Sequence, residues 1–425
     1  MKKLTISALV IGVALLLAVP AMAVDIAWDG AIRVRGYLEK NAPMDDDADD
    51  YNAFYDMRMR TNWTLNVTDN LIIRTRWRAL NQIGGGNDAD ANNFDWERAW
   101  MSIRSPYGTF EAGRMITQTF GTTYVDNETD IFRLNYITRL ADKVTLVVTA
   151  QKAGEVDGGF SAAPPAAGGN WQISDNDVDV YGFALVYPTE NWSIGSLQVW
   201  LRNRAGGADI DRYSANPYFT GKFGNLSLQA EAFFQFGDSQ EIDAGERQDG
   251  DYKGWTANVE ANYDLGVANL MLGGAYATGD DNPTDGDVEN APLSDDWEKF
   301  YLLFGSTGDS PAVLGSFGNF STTGGNPFGY WAVYGGADTN LTESLNVGLS
   351  ACYLTVLEEP NQVDDEGGVE VNLRANWNIY DNLSYSFIGA YLFAGDFWKD
   401  TADALAGDGN SDDPWALFHV LQLSF

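Results

Sequence analysis

The chain has 425 residues, with 60 acidic side chains against 26 basic ones and a formal net charge of −34 at pH 7. This acidity argues against nucleic acid as a partner, because binding to a phosphate backbone needs a basic surface. Cys352 is the single cysteine and His419 the single histidine, which excludes an intrachain disulfide and the ligand clusters of a typical zinc site. We therefore expect no cofactor and no metal site.

The N-terminal residues have the pattern of a secretory signal peptide. Lys2 and Lys3 form a basic segment, an apolar run follows, and the small-residue sequence AMA ends it at residue 23. A membrane anchor helix is the weaker alternative, because the apolar run is short and the cleavage sequence is good. We predict that 1–23 are a signal peptide and that 24–425 form a single domain.

Alternation of apolar and polar residues is the main structural signal after residue 24. The segment VEVNLRANWNIY (369–380) alternates strictly, which predicts a β-strand with one apolar and one polar face. Similar runs occur at 55–67 and 255–265. Together they predict about 18 strands, with 16 as the alternative. The predicted strands start near Ile26, Tyr51, Leu71, Phe94, Thr109, Ile131, Val144, Val178, Ile194, Arg212, Leu226, Tyr252, Asn269, Phe328, Leu345, Gly368, Leu383 and Trp415.

The connections between these runs are of two kinds that alternate along the chain. Some are very short, such as 68–70 and 381–382, and others are long, polar and acidic, such as 154–177 and 279–327. This alternation is typical of outer-membrane β-barrels, which have tight periplasmic turns and long outer loops. We predict an all-β fold, a transmembrane antiparallel β-barrel whose apolar faces contact lipid and whose polar faces line a water-filled lumen. Closing the sheet also pairs every backbone polar group inside the hydrocarbon.

Two further features concern the membrane. The chain ends in WALFHVLQLSF, and an amphipathic final strand ending in Phe425 resembles the assembly signal of bacterial outer-membrane proteins. Aromatic residues near strand ends predict interfacial belts, although β-propensity alone also explains single rings. The predicted belt residues are Tyr37, Trp63, Trp77, Tyr187, Trp192, Tyr263, Tyr276, Tyr330 and Tyr380.

Arginine is unevenly distributed: of 17 arginines, twelve lie between residues 33 and 139. Several repeat at i+2 and so share one strand face, and Arg in mid-membrane lipid costs about 2–4 kcal/mol, so this face should be lumenal. Two arrangements are compatible with the pattern, a basic ladder on one wall or ion pairs with lumenal acids such as Glu39, Asp56 and Glu97. The arginines of this set are Arg33, Arg35, Arg58, Arg60, Arg74, Arg76 and Arg78.

The region 95–150 contains ERAWMSIRSPYGTFEAGRM, a loop, and then DIFRLNYITRLADKVTLVV. This order of strand, tight turn, strand, third loop and strand resembles the general porins of Gram-negative outer membranes. The resemblance implies a loop folded into the barrel, with Arg98 and Arg133 as wall arginines and Asp126, Glu128 and Asp130 as the constriction-loop acids. It also implies a homotrimer. Eighteen strands exceed the sixteen usual in that family.

Other candidate sites are weaker. The Asp runs at 45–50, 279–289 and 407–413 do not fit an EF-hand loop, so they are interpreted as solvated loop tips, with loose divalent bridging to lipopolysaccharide as the alternative. His419 is predicted on the outward face, either at a protomer contact or facing lipid without a partner. Cys352 is predicted to point inward and to be inert. No catalytic motif is present, and the chain is not expected to be an enzyme.

The sequence therefore predicts an outer-membrane porin for passive diffusion of small hydrophilic solutes and ions, in contact with outer-membrane lipid and lipopolysaccharide. The alternative is a substrate-selective channel, since 18 strands and a long segment at 279–327 resemble barrels for acidic-polysaccharide export or basic-amino-acid uptake. Excluding the signal peptide, 60 acids face 24 bases, which predicts a weak cation preference that the arginine wall would oppose.

Overall fold

The fold is described from a computed structural model. The structure describes residues 24–40, 51–84, 94–117, 120–126, 129–154, 177–205, 208–243, 246–282, 284–291, 297, 299–304, 328–358, 364–400 and 412–425. The predicted signal peptide at 1–23 and the Asp run at 45–50 lie outside these residues.

Nearly all of the described chain is β-strand, as the alternating pattern predicts. The strand segments are β1 Asp25–Lys40, β2 Tyr51–Thr68, β3 Leu71–Gly84, β4 Phe94–Ser105, β5 Gly108–Ile116, β6 Asp130–Arg139, β7 Thr145–Gly154, β8 Val178–Pro188, β9 Trp192–Asn203, β10 Ile210–Phe223, β11 Leu226–Asp243, β12 Glu246–Tyr252, β13 Trp255–Asp264, β14 Asn269–Ala277, β15 Tyr330–Asn340, β16 Leu345–Val356, β17 Glu366–Tyr380, β18 Leu383–Ala394 and β19 Trp415–Ser424. A helical turn covers 396–400.

The sheet closes on itself. Apart from β12 and β13, each segment pairs antiparallel with its neighbours in the chain, and β1 pairs with both β2 and β19. β12 and β13 pair with β11 in one continuous register, since Gly237 lies opposite Tyr252 and Phe234 opposite Trp255. They are therefore two halves of one strand interrupted at 253–254, and the closed barrel has 18 strands. The predicted fold and the count of 18 are confirmed.

All predicted strand starts but one agree with the observed ones within two residues. The exception is Tyr252, because the strand made of β12 and β13 begins earlier, at Glu246. Short turns such as 69–70, 106–107 and 381–382 lie at one end of the barrel, and the long connections leave the other end. Successive strands run in opposite directions, so every second connection emerges at the same end of the barrel. This is why the short turns and the long connections are at opposite ends.

The outer face of the barrel is apolar. Leu272 and Val259 are 65% and 59% exposed in the middle of their strands, where a soluble protein would bury them. Aromatic rings form rows across neighbouring strands on this face, such as Trp200 stacked on Tyr213, which stacks on Phe236. Apolar side chains of this exposure need a hydrocarbon surround, so the predicted outward direction of the apolar faces is correct.

Two of the predicted belt residues are inside the barrel instead. Tyr37 donates a hydrogen bond to Asp56 and packs on Phe54. Tyr330 is fully buried beside Tyr124. The prediction was wrong for these two because nearness to a strand end does not fix which face a side chain occupies.

One side of the lumen is apolar rather than wet. The inner faces of β14, β15, β16, β18 and β19 contribute buried residues to a cluster. Two long connections add to it Tyr124, Trp297, Phe300, Leu302, Leu303 and Phe304. Cys352 belongs to this cluster and points inward, as the sequence predicts. His419 lies on the outer side, with its ring between Tyr55 and Tyr385.

Within the described residues, no helix is both long enough and apolar enough to cross a membrane.

Substitution by arginine tests which face of the barrel contacts lipid. We expect Val259→Arg to lower the free energy of unfolding by about 2–4 kcal/mol, because the guanidinium would enter the hydrocarbon. Gln229→Arg, on the lumenal side of neighbouring β11, should cost less than about 1 kcal/mol. Urea titration in lipid, with folded barrel read by gel mobility, measures both. Equal costs would contradict the assignment of the two faces.

Candidate functional site

The predicted arginines of the first strands lie side by side on one wall of the lumen. Arg33 of β1 is opposite Arg58 of β2. β3 then continues the row, since Arg60 is opposite Arg78 and Arg76 is opposite Arg98 of β4. Because opposite residues of an antiparallel pair point to the same side, the four strands form one basic wall.

A β-bulge brings an acid into this wall. Arg76 pairs with Arg98 while the next residue, Trp77, pairs with Trp96, so Glu97 is an extra residue in β4. A bulge allows two consecutive side chains to reach the same face. Glu97 accordingly lies 2.9 Å from Arg60 and 3.2 Å from Arg78.

The ladder and the ion pairs that the sequence leaves as alternatives are both present. Arg35 contacts Asp56 and Arg98 contacts Asp130, each at 2.5 Å. Arg74 instead lies 6.0 Å from the ring centre of Trp100, and Arg76 donates to the side chain of Asn62 at 2.8 Å. Among the described residues, no carboxylate lies within ion-pair distance of these two arginines, so their charge acts on the lumen.

Arg133 lies on β6, beyond the four strands of this wall. Its guanidinium is buried and donates to Thr149 Oγ1 and to the carbonyl of Ile116, each at 3.0 Å. Because Ile116 ends β5, this contact holds the start of the following loop. The register continues the row of Arg74 through β4 and β5 to Arg133. The contacts of Arg133 bury its guanidinium, and its role as a wall arginine stays a prediction.

The loop 117–129 between β5 and β6 is closed at its base. The Thr117 N–H donates to the carbonyl of Thr129, and the Thr129 N–H donates to Thr117 Oγ1, both at 2.8 Å. Asp130 follows directly and pairs with Arg98 on the adjacent wall. This acid therefore ties down the base of the loop instead of facing a wall across the lumen.

From this base the loop crosses the lumen to the opposite wall. Phe120 packs edge-on against Tyr218 of β10, with 5.1 Å between ring centres. Thr122 donates its backbone N–H to Glu231 of β11 at 3.0 Å, and its hydroxyl donates to the same carboxylate. Gly121 has φ +83° and lies against Glu231, so a side chain there would collide with the carboxylate. The predicted insertion of this loop into the barrel is confirmed.

Tyr124 anchors the tip of the loop. Its hydroxyl contacts Thr256 Oγ1 at 2.5 Å, the carbonyl of Tyr276 at 3.1 Å and the hydroxyl of Tyr330 at 3.2 Å. Burial raises the pKa of Tyr124 to about 12, so the phenol remains neutral. Asp126 is buried near this tip, and Glu128 lies outside the described residues.

A second segment, described at 297 and 299–304, also lies inside the barrel, and sequence reasoning missed it. It comes from the long connection between β14 and β15. Lys299 forms an ion pair with Glu260, and the ring of Tyr301 packs on Phe418 at 4.6 Å. The apolar run FYLLF at 300–304 could have predicted this insertion, because apolar side chains within an acidic loop need a surface against which they are buried.

The two insertions touch each other. Trp297 packs edge-on against Tyr124, with 5.1 Å between ring centres. Their contacts named above are with strands from β10 to β19, whereas the arginines of the basic wall lie on β1 to β4. In the described part of the chain, no cluster of three His, Cys, Asp or Glu side chains could hold a metal ion.

This architecture is that of the bacterial outer-membrane β-barrels. No protein-family model matches the chain, and no curated protein matches it in sequence. The outer membrane protein OpdK of Pseudomonas aeruginosa has a similar structure, with a TM-score of 0.56, 11% identity and coverage of 94% of this chain and 98% of that chain. OprD of the same organism has a TM-score of 0.56, 12% identity and coverage of 96% and 95%. At this identity, the similarity shows the fold alone.

The anchor of the loop 117–129 can be tested by hydrogen exchange. Glu231→Gln removes the negative charge that accepts two hydrogen bonds from Thr122, so amide exchange in 120–126 should accelerate about tenfold. Glu39→Gln, a lumenal carboxylate of β1 bonded to Asn52, is the matched control and should leave this exchange unchanged. Unchanged exchange in Glu231→Gln would contradict the anchor.

Proposed function

We propose that this protein is a water-filled channel in a Gram-negative outer membrane, through which small hydrophilic solutes and ions diffuse passively. One observation carries the proposal: a closed barrel with an apolar outer face has a charged inner wall opposite a loop that crosses the lumen. A sealed structural barrel would not need Arg74 and Arg76 on its inner wall without a carboxylate partner among the described residues. Passive diffusion also requires no catalytic step.

The location of the protein is inferred from three features. The predicted signal peptide exports the chain, the apolar outer face suits a bilayer, and the last residue, Phe425, is bound into the closing sheet by two backbone hydrogen bonds with Gly30. Similar solved structures are described as outer membrane proteins. Outer-membrane lipid and lipopolysaccharide would surround the apolar face.

We further propose a homotrimer, which is supported only by the resemblance of 95–150 to general porins. His419 on the outer face could then contact a neighbouring protomer. The mass of the detergent-solubilised protein tests this assembly, and a monomer would contradict it.

A substrate-selective channel is the second candidate. It is favoured by the two insertions, because chain segments inside the barrel leave less open cross-section for a solute. A solved structure of the same fold is OpdK of P. aeruginosa with vanillate, an aromatic carboxylate. Conductance in planar bilayers separates the candidates, since large unspecific steps favour diffusion and small steps blocked by one solute favour selectivity.

Removing positive charge from the basic wall tests whether this wall sets the ion selectivity of the channel. Neutralising Arg74, Arg76 and Arg78 with Gln should shift the reversal potential in a salt gradient toward cation selectivity, because the local attraction for anions is lost. The same measurement on the unmodified protein tests the weak cation preference that the net charge predicts.

Arg114→Gln is the matched control for this experiment. Arg114 lies opposite Ala99 and Phe132 in the register, which places it on the outer side, and it donates to the carbonyl of Glu97. Its neutralisation should leave the reversal potential unchanged. An unchanged potential in the triple variant would remove the basic wall from the mechanism.

A further inference from the structure

Glu370 of β17 is a carboxylate enclosed inside the barrel. Its side chain is 0% exposed. It accepts hydrogen bonds from three consecutive backbone N–H groups, those of Tyr301 at 2.7 Å, Leu302 at 3.2 Å and Leu303 at 2.8 Å. No cation lies within ion-pair distance of it in the described chain, so these three N–H groups are what compensate for its burial.

The same segment is held at other points along its length. Lys299 pairs with Glu260 on one side, and Asn372 donates its side-chain amide to the carbonyl of Lys299 at 3.4 Å. Tyr301 reaches Phe418 on the other side. Glu370 sits between these contacts and accepts hydrogen bonds from three backbone N–H groups of the segment, whereas Asn372 bonds to a single carbonyl.

The contact is selective for a carboxylate. Two oxygens with four lone pairs can accept three N–H groups at once, whereas the amide of Gln offers one oxygen and directs an NH₂ group at donors. An apolar side chain would leave all three N–H groups buried without an acceptor. The side chains at 302–303 are apolar and cannot form hydrogen bonds with the wall. The segment is therefore held by its backbone N–H groups as well as by the packing of its side chains.

We propose that Glu370 is a positioning residue that seats the segment 297–304 inside the barrel and thereby sets the width of the opening. Through the contact of Trp297 with Tyr124, the same anchor also supports the tip of the loop 117–129. The effect on width rests on the proposed channel function, whereas the seating of the segment does not.

The single cysteine provides a reporter for this seating. Cys352 lies directly opposite Glu370 on β16, is 0% exposed and belongs to the buried cluster that includes Leu302 and Leu303. Its side chain points into the barrel under the segment. When the segment leaves its seat, a water-soluble maleimide that enters the lumen can reach Cys352.

The experiment compares Glu370→Gln and Glu370→Ala in the full, folded barrel. We expect the rate of Cys352 labelling to rise about tenfold in Glu370→Gln and further in Glu370→Ala, because each change removes hydrogen-bond acceptors from 301–303. Gln has nearly the same volume as Glu, so this variant separates the hydrogen bonding of the carboxylate from its packing. If Glu370 acted by its volume alone, Cys352 would be labelled in Glu370→Gln at the same rate as in the unmodified protein. Glu111→Gln, a lumenal acid of β5 bonded to Asn135, is the matched control and should leave Cys352 protected.

Single-channel conductance completes the test. Conductance should rise in the order unmodified protein, Glu370→Gln, Glu370→Ala, in step with Cys352 labelling. Unchanged labelling in both folded variants would overturn the seating, and faster labelling without a change in conductance would overturn the link to width. If neither the unmodified protein nor any variant conducted, the proposed channel function and with it that link would fail, while the labelling would still decide the seating.

Discussion

Closure of the sheet between β1 and β19 is the constraint on which the rest of the structure depends. In hydrocarbon, each backbone N–H and C=O group needs a partner within the protein, and only a sheet without edges supplies one for every strand. The final residue, Phe425, bonds to Gly30 and completes that closure. Because the outer face is then mainly apolar, with Arg114 as an exception, most polar and charged residues of the strands are directed to the lumen, where they are available for function.

The lumen that results is strongly asymmetric. A barrel of 18 strands encloses more space than its own side chains can fill. Two long connections occupy much of that space, and each is bonded to the wall through a buried carboxylate, Glu231 for one and Glu370 for the other. Backbone N–H groups in an inserted loop lack strand partners, and a carboxylate can satisfy several of them at once. The same physical solution is thus used twice, on different strands.

The charges of the opposite wall are also divided between two tasks. Arg35, Arg98 and the pair around Glu97 are engaged with acids and so fix local geometry. Arg74 and Arg76 keep their charge for the opening. An arginine that is paired with an acid contributes little to the electric field in the lumen. The electric field that acts on a solute is therefore weaker than the number of arginines suggests.

The sequence by itself determined where the strands lie, which of their faces points outward and that the arginines are on the lumenal side. It could do so because a period of two is a local property of the chain. It also indicated the insertion of 117–129 through a resemblance. Only the tertiary structure decided which arginines have acidic partners, because the bulge at Glu97 breaks the alternation on which the reading of faces depends. The seat of 297–304 is likewise a tertiary result, since Glu370 and Leu303 are 67 residues apart and no local pattern connects them.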